Sequence, residues 1–288
     1  MSPIIETQKL THIYSKGTPF EHLALDGVDF SVDPGEFVAV IGQTGSGKST
    51  LIQHLNGLLQ PDSGKVLFNG QDIWSSKAFN NSIRFKVGLV FQYPEYQLFE
   101  ETVFKDISFG PRNMGLSPSE IEERVYEAAG FVGLTEDQLA KSPFDLSGGG
   151  KRRAAIAGVI AMRPEVLILD EPTAGLDPMG SRNLMENIRA YHRENNAAVI
   201  LVTHNMEEAA RQANRLTVLS GGKIVMDGTP EKVFDNMEAL EKMRLDTPEI
   251  TQVFSCLRRM GFDVPQSVYT VEQAKSVLLD GKWGLGNA

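Results

Sequence analysis

The residues most suited to chemistry lie early in the chain, where Gly42 to Thr50 read GQTGSGKST and match the pattern G-x-x-x-x-G-K-[ST]. Glycines at these spacings let backbone N–H groups close around phosphate oxygens. Lys48 adds a point charge for the β and γ positions, and Ser49 offers a hydroxyl to Mg²⁺. The pattern therefore predicts that the chain binds a nucleoside triphosphate.

The sequence around this loop supports the same interpretation. The apolar run EFVAVI at residues 36–41 predicts a strand, and KSTLIQHLNGLL at residues 48–59 predicts a helix, which is the context that a phosphate-binding loop requires. A glycine turn with a solvated lysine is the alternative, and this context disfavours it. The predicted nucleotide-binding residues are Gly42, Gln43, Thr44, Gly45, Ser46, Gly47, Lys48, Ser49 and Thr50.

A pair of adjacent carboxylates follows another apolar run, VLILDE at residues 166–171. Side chains alternate along a strand, so the two acids need not do the same work. Asp170 fits the Mg²⁺ position, directly or through water, and Glu171 is the candidate that polarises the attacking water. A strand that ends in Asp-Glu is also typical of a solvated helix cap, but the phosphate loop in the same chain favours the catalytic interpretation.

Two further polar residues follow predicted strands. Gln92 comes after VGLVF and His204 after AAVILVT, and in a parallel sheet the active crevice lies at the carboxyl ends of the strands. A lone His or Gln is more often a satisfied hydrogen-bonding residue than a sensor. The position of these two favours a role: His204 is expected to bond a γ-phosphate, and Gln92 to touch Mg²⁺ or water and report occupancy to the segment after it.

A second glycine-rich segment, DLSGGGKRR at residues 145–153, leads into a predicted helix with three consecutive cations. Cations at a helix N-terminus are unfavourable unless an anion lies nearby. Glycines at a helix start also free backbone N–H groups to hold phosphate. The segment is therefore interpreted as a second anion-binding site.

The elements that must position these residues indicate an α/β fold. Residues 4–14, 24–32 and 64–68 predict an antiparallel layer of strands. The runs at 87–92, 165–172, 197–205 and 215–225 are typical of a buried parallel sheet. Between residues 95 and 163 helices are expected, at 119–130 and 151–162, as an insertion in the α/β core.

The composition changes after residue 228. Residues 247–261 place apolar side chains on one helical face, and residues 270–279 repeat the pattern, which predicts a helical appendage at 231–288 after a main domain at 1–230. The side chains expected on the first face are Ile250, Val253, Phe254, Leu257 and Met260.

Composition limits the function classes. Hydrophobic residues are 41% and charged residues 23%, as in ordinary globular chains. The longest apolar runs have strand length, so membrane association is expected only through a partner. No secretory signal is visible at the start, and the single cysteine, Cys256, suits a reducing compartment. A net charge of −9 argues against broad binding to nucleic acid.

Taken in order, GQTGSGKST, Gln92, LSGGG, VLILDE, AGLD at residues 174–177 and His204 resemble an ATP-binding cassette ATPase over about the first 230 residues. The resemblance implies that LSGGG is a signature loop, which completes the site of a second cassette in a head-to-tail dimer. Tyr14 is implied to stack on adenine, and Asp177 to lie at the dimer seam. The implied contacts to the partner's nucleotide are Ser147, Gly148 and Gly149. The signature usually ends in glutamine, and Gly150 in its place loses a side chain and adds backbone freedom.

The segment between Tyr93 and Phe104 is rich in aromatic residues, and apolar docking of a partner helix or ordinary packing of the helical insertion could explain it. This segment resembles energy-coupling factor transporter ATPases, which import vitamins and transition metal ions. Residues 17–25, GTPFEHLAL, are similar to the second of their two paralogous subunits. The appendage matches that family too, where it contributes to contact between the ATPases.

That resemblance implies a peripheral protein on the cytoplasmic face of the membrane that hydrolyses ATP with Mg²⁺. Its implied partners are a paralogous ATPase, a transmembrane coupling protein and interchangeable substrate-binding membrane proteins. Two alternatives remain: a homodimeric cobalt or nickel importer ATPase, and a soluble cassette protein of DNA repair or translation. The second is expected to carry a coiled-coil insertion, a zinc cluster or a second cassette, which the sequence lacks.

Overall fold

Ten strands form two sheets in the computed structural model, which describes residues 2–279. The strands are β1 (Ile5–Tyr14), β2 (His22–Val32), β3 (Phe37–Ile41), β4 (Ser63–Phe68), β5 (Gln71–Asp72), β6 (Val87–Val90), β7 (Val166–Asp170), β8 (Ala198–Val202), β9 (Arg215–Ser220) and β10 (Lys223–Gly228). One sheet is antiparallel, with the order β2-β1-β4-β5. The other has the order β10-β9-β3-β8-β7-β6. The predicted α/β class with a separate antiparallel layer is confirmed.

Helices cover the six-stranded sheet and fill the segment between β6 and β7. They are α1 (Lys48–Leu55), α2 (Lys77–Lys86), α3 (Val103–Asn113), α4 (Pro118–Val132), α5 (Glu136–Leu139), α6 (Gly148–Ile160), α7 (Pro178–Asn195), α8 (Met206–Gln212), α9 (Pro230–Phe234), α10 (Met237–Lys242), α11 (Glu249–Arg259) and α12 (Val271–Leu279). Short 3₁₀ helices occupy Pro94–Gln97 and Pro143–Asp145. Within residues 2–279, no helix has the length and apolar character needed to cross a membrane.

The central strands are buried on both faces. Phe37, Ala39 and Ile41 of β3 join the core beneath the helical segment, whereas Val38 and Val40 join the core shared with α1 and the antiparallel sheet. This explains why β3, β7 and β8 are continuous apolar runs rather than alternating ones. The carboxyl ends of these parallel strands therefore open onto one edge of the sheet.

The run at residues 215–225, predicted to join the buried parallel sheet, divides into two strands instead. β9 runs parallel to β3, but β10 turns back and pairs antiparallel with β9. The turn is made by Gly221 and Gly222, whose φ angles of 56° and 76° suit a two-residue hairpin. β10 is only half buried because it forms the edge of the sheet.

The helix predicted at residues 151–162 begins three positions earlier, at Gly148. The hydroxyl of Ser147 accepts a hydrogen bond from the Gly150 backbone N–H at 3.2 Å, so it caps the helix and draws the glycines into the first turn. The glycines of this segment are thus part of α6 rather than of a preceding loop.

The appendage contains a small core of its own, in which Phe254 packs with Ile250, Leu257 and residues of α12. Two members of the predicted apolar face are exposed, Val253 at 50% and Met260 at 64%. They lie at the margin of that face, and the short segment opposite, which contributes Val264 and Val268, does not reach them. Residues 280–288 of the predicted appendage lie outside the described residues.

Candidate functional site

A cavity of about 900 Å³ lies where β3, β7 and β8 end and α1 begins, and we call it the loop cavity. Its lining includes most of the predicted site residues, namely Tyr14, Gly42, Gln43, Thr44, Gly45, Gly47, Lys48, Ser49, Thr50, Gln92, Asp170, Glu171 and His204. Ser46 lies beneath the loop with 5% of its surface exposed. Residues from five separate parts of the sequence are thereby brought to one cavity.

The loop at residues 42–50 depends on close approach of its backbone to neighbouring strands. A Cβ at Gly42 would lie 2.2 Å from the Leu219 carbonyl oxygen, and one at Gly47 would lie 2.6 Å from that of Ala24. Only glycine fits at these two positions. The Lys48 ammonium donates to the carbonyls of Gly42 at 2.6 Å and Gln43 at 2.9 Å, so it spans the mouth of its own loop.

The environment of the loop cavity disfavours the charged forms of its own side chains. Burial lowers the pKa of Lys48, and the carboxylates of Glu171 and Asp170 only partly offset this. Burial also raises the pKa of Asp170, and Glu171 raises it further. Both acids are almost fully buried. Such perturbed groups in a cleft are typical of functional sites.

Oxygen ligands suited to a hard divalent cation meet in this cavity. The Ser49 hydroxyl lies 3.3 Å from Asp170 Oδ2, and Gln92 lines the same wall. A buried carboxylate whose ionisation is unfavourable fits a site that a cation completes. Within residues 2–279, no group of three or more His, Cys, Asp or Glu side chains is placed to hold a metal unaided. Oxygens from a bound ligand would therefore have to supply the remaining coordination.

Glu171 and His204 form a pair at the adjoining strand ends, with 2.8 Å between His204 Nδ1 and Glu171 Oε1. Glu171 has a left-handed backbone, with φ of 50°. Such strain in a non-glycine residue recurs at active sites. The Glu171 side chain is 11% exposed and that of His204 74% exposed, so the acid is fixed and the imidazole faces the open side.

Tyr14 closes the end of the loop cavity away from the acids. Its hydroxyl lies 3.3 Å from Thr50 Oγ1, and its ring meets His12 edge-to-face at 4.6 Å. His12 in turn contacts His54 beneath α1. The ring is 39% exposed, which leaves an aromatic surface open to the cavity.

The remaining predicted site residues do not reach the loop cavity. Ser147, Gly149 and Asp177 line a separate cavity of about 700 Å³ between the starts of α6 and α7, which we call the α6 cavity. Gly148 is the first residue of α6, and Asp177 caps α7 by accepting from the Gly180 N–H at 2.8 Å. Within one chain, the two glycine-rich segments therefore belong to different cavities.

The three consecutive cations at the start of α6 have different surroundings. Arg152 is 2% exposed and turned inward: it pairs with Glu95 at 2.9 Å and donates to the carbonyls of Pro172 and Ala174. The Lys151 ammonium lies over the Phe144 ring, and Arg153 lines the α6 cavity together with part of Arg152. Helical geometry spreads consecutive side chains about 100° apart, so three cations in a row face three directions.

The aromatic segment divides in the same way. Tyr93, Tyr96 and Phe99 are 44%, 85% and 60% exposed, whereas Leu98 is buried at 8% and Phe104 packs against the core. An apolar cavity of about 370 Å³ beside them, which we call the aromatic groove, is lined by Phe85, Leu98, Phe99, Phe109, Val159 and Met162. Packing therefore accounts for Leu98 and Phe104, and it leaves Tyr93, Tyr96 and Phe99 exposed.

Sequence reasoning missed one part of the loop cavity. Arg244, Leu245 and Asp246, just after α10, also line it, and the Gln43 side chain donates to the Arg244 carbonyl at 3.4 Å. Only the left-handed backbone of Arg244, with φ of 52°, marks this turn. No local pattern signals a contact between positions 201 residues apart.

Comparison with known proteins agrees with this geometry. The family model described as "ABC transporter" matches residues 25–174. The chain is 54% identical to the energy-coupling factor transporter ATP-binding protein EcfA2 of Caldanaerobacter subterraneus subsp. tengcongensis, with 96% of each chain covered. It is 52% identical to the protein of that name from Clostridium tetani, again with 96% of each covered.

Two solved structures are also similar. CbiO1 from Clostridium perfringens, described as part of the ABC transporter complex cbiONQ, has a TM-score of 0.75 and 38% identity, covering 88% of this chain and 100% of that one. The dimeric post-hydrolysis state of the ATP-binding cassette MJ0796, bound to ADP and Pi, has a TM-score of 0.71 and 27% identity, covering 78% and 98%.

Proposed function

Because this chain belongs to the ABC transporter family, as an ATP-binding protein of the energy-coupling factor type, we propose that it hydrolyses ATP to power import of vitamins or transition metal ions. The observation that carries the proposal is the convergence on one cavity of Lys48, Ser49, the acid pair and His204. A phosphate loop, two carboxylates and a polar sensor are the parts that phosphoryl transfer to water requires.

In the proposed mechanism, Tyr14 stacks on adenine, and the backbone N–H groups of residues 42–50 surround the phosphates. Lys48 leaves the loop carbonyls and bonds the β- and γ-phosphates. Ser49, Gln92 and Asp170 would hold Mg²⁺, which would supply positive charge against the charge that develops on the phosphate oxygens. Glu171 orients and polarises the attacking water, and His204 bonds the γ-phosphate.

The α6 cavity is proposed to complete the site of a second ATPase in a head-to-tail dimer. Ser147, Gly148 and Gly149 present the start of α6 to the partner's γ-phosphate, and Asp177 lies at the seam. The separation of the α6 cavity from the loop cavity supports this role, because the start of α6 does not line the cavity that contains Lys48 of its own chain. The favoured partner is a paralogous ATPase.

The aromatic groove is proposed to receive a helix of a transmembrane coupling protein, which itself works with interchangeable substrate-binding membrane proteins. Tyr96 and Phe99 are large and exposed, as an apolar docking surface requires; Phe99 lines the groove, and Tyr96 directly precedes Gln97, which also lines it. The protein is then peripheral, on the cytoplasmic face of the membrane. The appendage at residues 231–288 after the 1–230 cassette, with its helical segment at about 95–163, is proposed to contact the second ATPase.

A pull-down from native membranes with this chain as bait tests the assignment. We expect to recover a paralogous ATPase and a multi-spanning membrane protein. Recovery of copies of this chain alone, active by themselves, would instead indicate the homodimeric cobalt or nickel type. Recovery of nucleic acid with steep salt dependence, and no membrane protein, would contradict transport altogether.

A double substitution, Tyr96→Ser with Phe99→Ser, provides the matched control in that experiment. It removes exposed aromatic surface without changing the buried Leu98 or the partly buried Phe104. We expect the variant to retain the second ATPase and its ATP hydrolysis but to lose the membrane protein and transport. Unchanged transport would contradict the groove assignment and leave the ATPase assignment intact.

A further inference from the structure

The loops that carry Glu171 and His204 begin where backbone pairing between β7 and β8 ends. The last register pair of the ladder is Asp170 with Val202, and the Glu171 N–H still donates to the Val202 carbonyl at 2.9 Å. Beyond this point the chains continue as the loop at residues 172–177 and the loop at 203–205. The distance between Glu171 and His204 therefore depends on what holds these two loops together.

One buried carboxylate joins the two loops. Glu208 Oε2 accepts a hydrogen bond from the Thr203 hydroxyl at 2.9 Å and another from the Thr173 hydroxyl at 3.2 Å. Thr203 directly precedes His204, and Thr173 follows Glu171 by two positions. Each of these bonds therefore acts within two residues of a member of the proposed catalytic pair.

The backbone around Glu208 leaves its carboxylate free for this contact. Asn205 caps α8 by accepting from the Glu208 N–H at 2.9 Å, and Glu208 occupies the position from which a capping-box glutamate would bond the cap residue's own N–H. Here the Asn205 N–H instead donates to the Thr203 hydroxyl at 3.1 Å. The glutamate side chain is thereby released from helix capping and reaches across to the other loop.

Burial at this position is unfavourable for the ionised form of the Glu208 side chain. Glu208 is 9% exposed, burial raises its pKa, and the two threonine hydroxyls act in the opposite direction. Glu171, Glu208 and His204 also line one further cavity of about 600 Å³. A buried acid beside the reacting groups, bonded to both of their loops, is better explained by the site than by stability.

We propose that Glu208 is a positioning residue for hydrolysis, whose carboxylate clamps the loop after Glu171 to the loop before His204. The proposal rests on the ATP hydrolysis proposed above. In this proposal, Glu208 does not touch the substrate. It fixes the geometry of Glu171 and His204, so its substitution should change the turnover rate rather than the nucleotide affinity.

The test compares Glu208→Leu with Glu208→Gln in the complex with the second ATPase. Leucine removes both acceptor contacts, whereas the glutamine oxygen can still accept from the threonines. We expect Glu208→Leu to lower kcat by about 10- to 100-fold, the range that small misplacement of reacting groups produces. Nucleotide Kd should stay within about threefold. Glu208→Gln should recover most of the rate.

The threonines give an independent readout. Thr203→Val should lower kcat, and combined with Glu208→Leu it should add little further, because both changes break the same contact. Thr7→Val is the matched control: that hydroxyl is similarly buried and bonds the Val28 carbonyl at 2.9 Å in the antiparallel sheet. It should change kcat by less than about twofold.

Full turnover by Glu208→Leu, or a Glu208→Gln variant as slow as Glu208→Leu, would overturn the clamp. Loss of nucleotide affinity in parallel with kcat would overturn it as well, since general damage to the fold would then explain the result. A Glu171→Gln variant measured beside them separates the two claims. If that variant hydrolyses ATP normally, the proposed base is wrong, whatever Glu208 does.

Discussion

The loop cavity and the α6 cavity both begin at a glycine-rich helix start, yet they differ in chemistry. The loop cavity gathers Lys48, Asp170, Glu171 and His204, whereas the α6 cavity offers a capped helix start with Arg153 and Asp177. In the proposed mechanism, the loop cavity carries the groups for hydrolysis and the α6 cavity binds the phosphate of a second ATPase. On that proposal, a single chain holds two unlike halves of a site.

The two cavities also differ in how well they accommodate their own charged and polar groups. Burial shifts the pKa of Lys48 downward and that of Asp170 upward in the loop cavity. In the α6 cavity, the Ser147 cap satisfies the Gly150 N–H, and a Cβ at Gly148 would meet nothing within 4 Å. Charged side chains are therefore energetically unfavourable in the isolated loop cavity, whereas the α6 cavity presents an open surface.

The largest expected effect comes from Glu171→Gln, which tests whether chemistry resides in the loop cavity alone. Glutamine keeps the size of the side chain but cannot act as a base, so kcat should fall by at least about 100-fold. Nucleotide binding should remain, and the ATP-bound dimer should accumulate. Single-turnover hydrolysis and size-exclusion chromatography with ATP measure the two results, and a normal rate would reassign the base.

A smaller effect is expected from Gly149→Asp, which tests whether the α6 cavity serves the partner. The nearest atom to a Cβ at Gly149 is Arg153 Nη1 at 3.7 Å, and an acid in the first turn favours a helix, so the chain should fold normally. The added charge should repel a partner's phosphate and lower dimer hydrolysis by about tenfold or more.

Nucleotide binding to the variant's own loop cavity should be unchanged, as measured by titration with an ATP analogue. Gly149→Ala is the matched control, since it adds a side chain without charge. Loss of ATP binding to the substituted chain itself would show that the two cavities are not independent, and it would break the comparison.

The smallest effect is expected from Asp170→Asn on the ligand-free protein. Burial raises the pKa of Asp170 in the folded state above its ordinary value of 3.8, so the folded state binds this proton more tightly than the unfolded chain does. Ionisation at pH 7 therefore destabilises the fold, and Asp170→Asn should raise Tm, by roughly 2 °C for each 1 kcal/mol that is relieved in a chain of this size.

The gain in Tm should shrink as the pH falls through the raised pKa of Asp170 toward 3.8, because Asp170 of the wild type is then protonated. Thermal unfolding at several pH values without nucleotide or Mg²⁺ checks this. Mg²⁺-dependent stabilisation by ATP should be weaker in the variant. If the Tm of Asp170→Asn at pH 7 equals that of the wild type or is lower, then ionisation of a buried group does not distinguish the loop cavity from the α6 cavity.

The sequence determined the parts whose signal is local. The loop at residues 42–50, the strands before Asp170 and His204, and the α/β class could be read from it, because glycine spacing and apolar runs directly constrain the backbone. The start of α6 was misplaced by three residues, since only the Ser147 cap geometry shows that the glycines are helical.

Tertiary structure alone decided which distant groups meet. It turned Arg152 inward to Glu95, brought the Arg244 turn beside Gln43, and placed Glu208 between Thr173 and Thr203. Partners such as these lie up to 201 residues apart, and their contacts follow from packing of the two cores rather than from the pattern of either segment. The local sequence determined the chemistry available to each residue, and long-range packing determined which residues each one contacts.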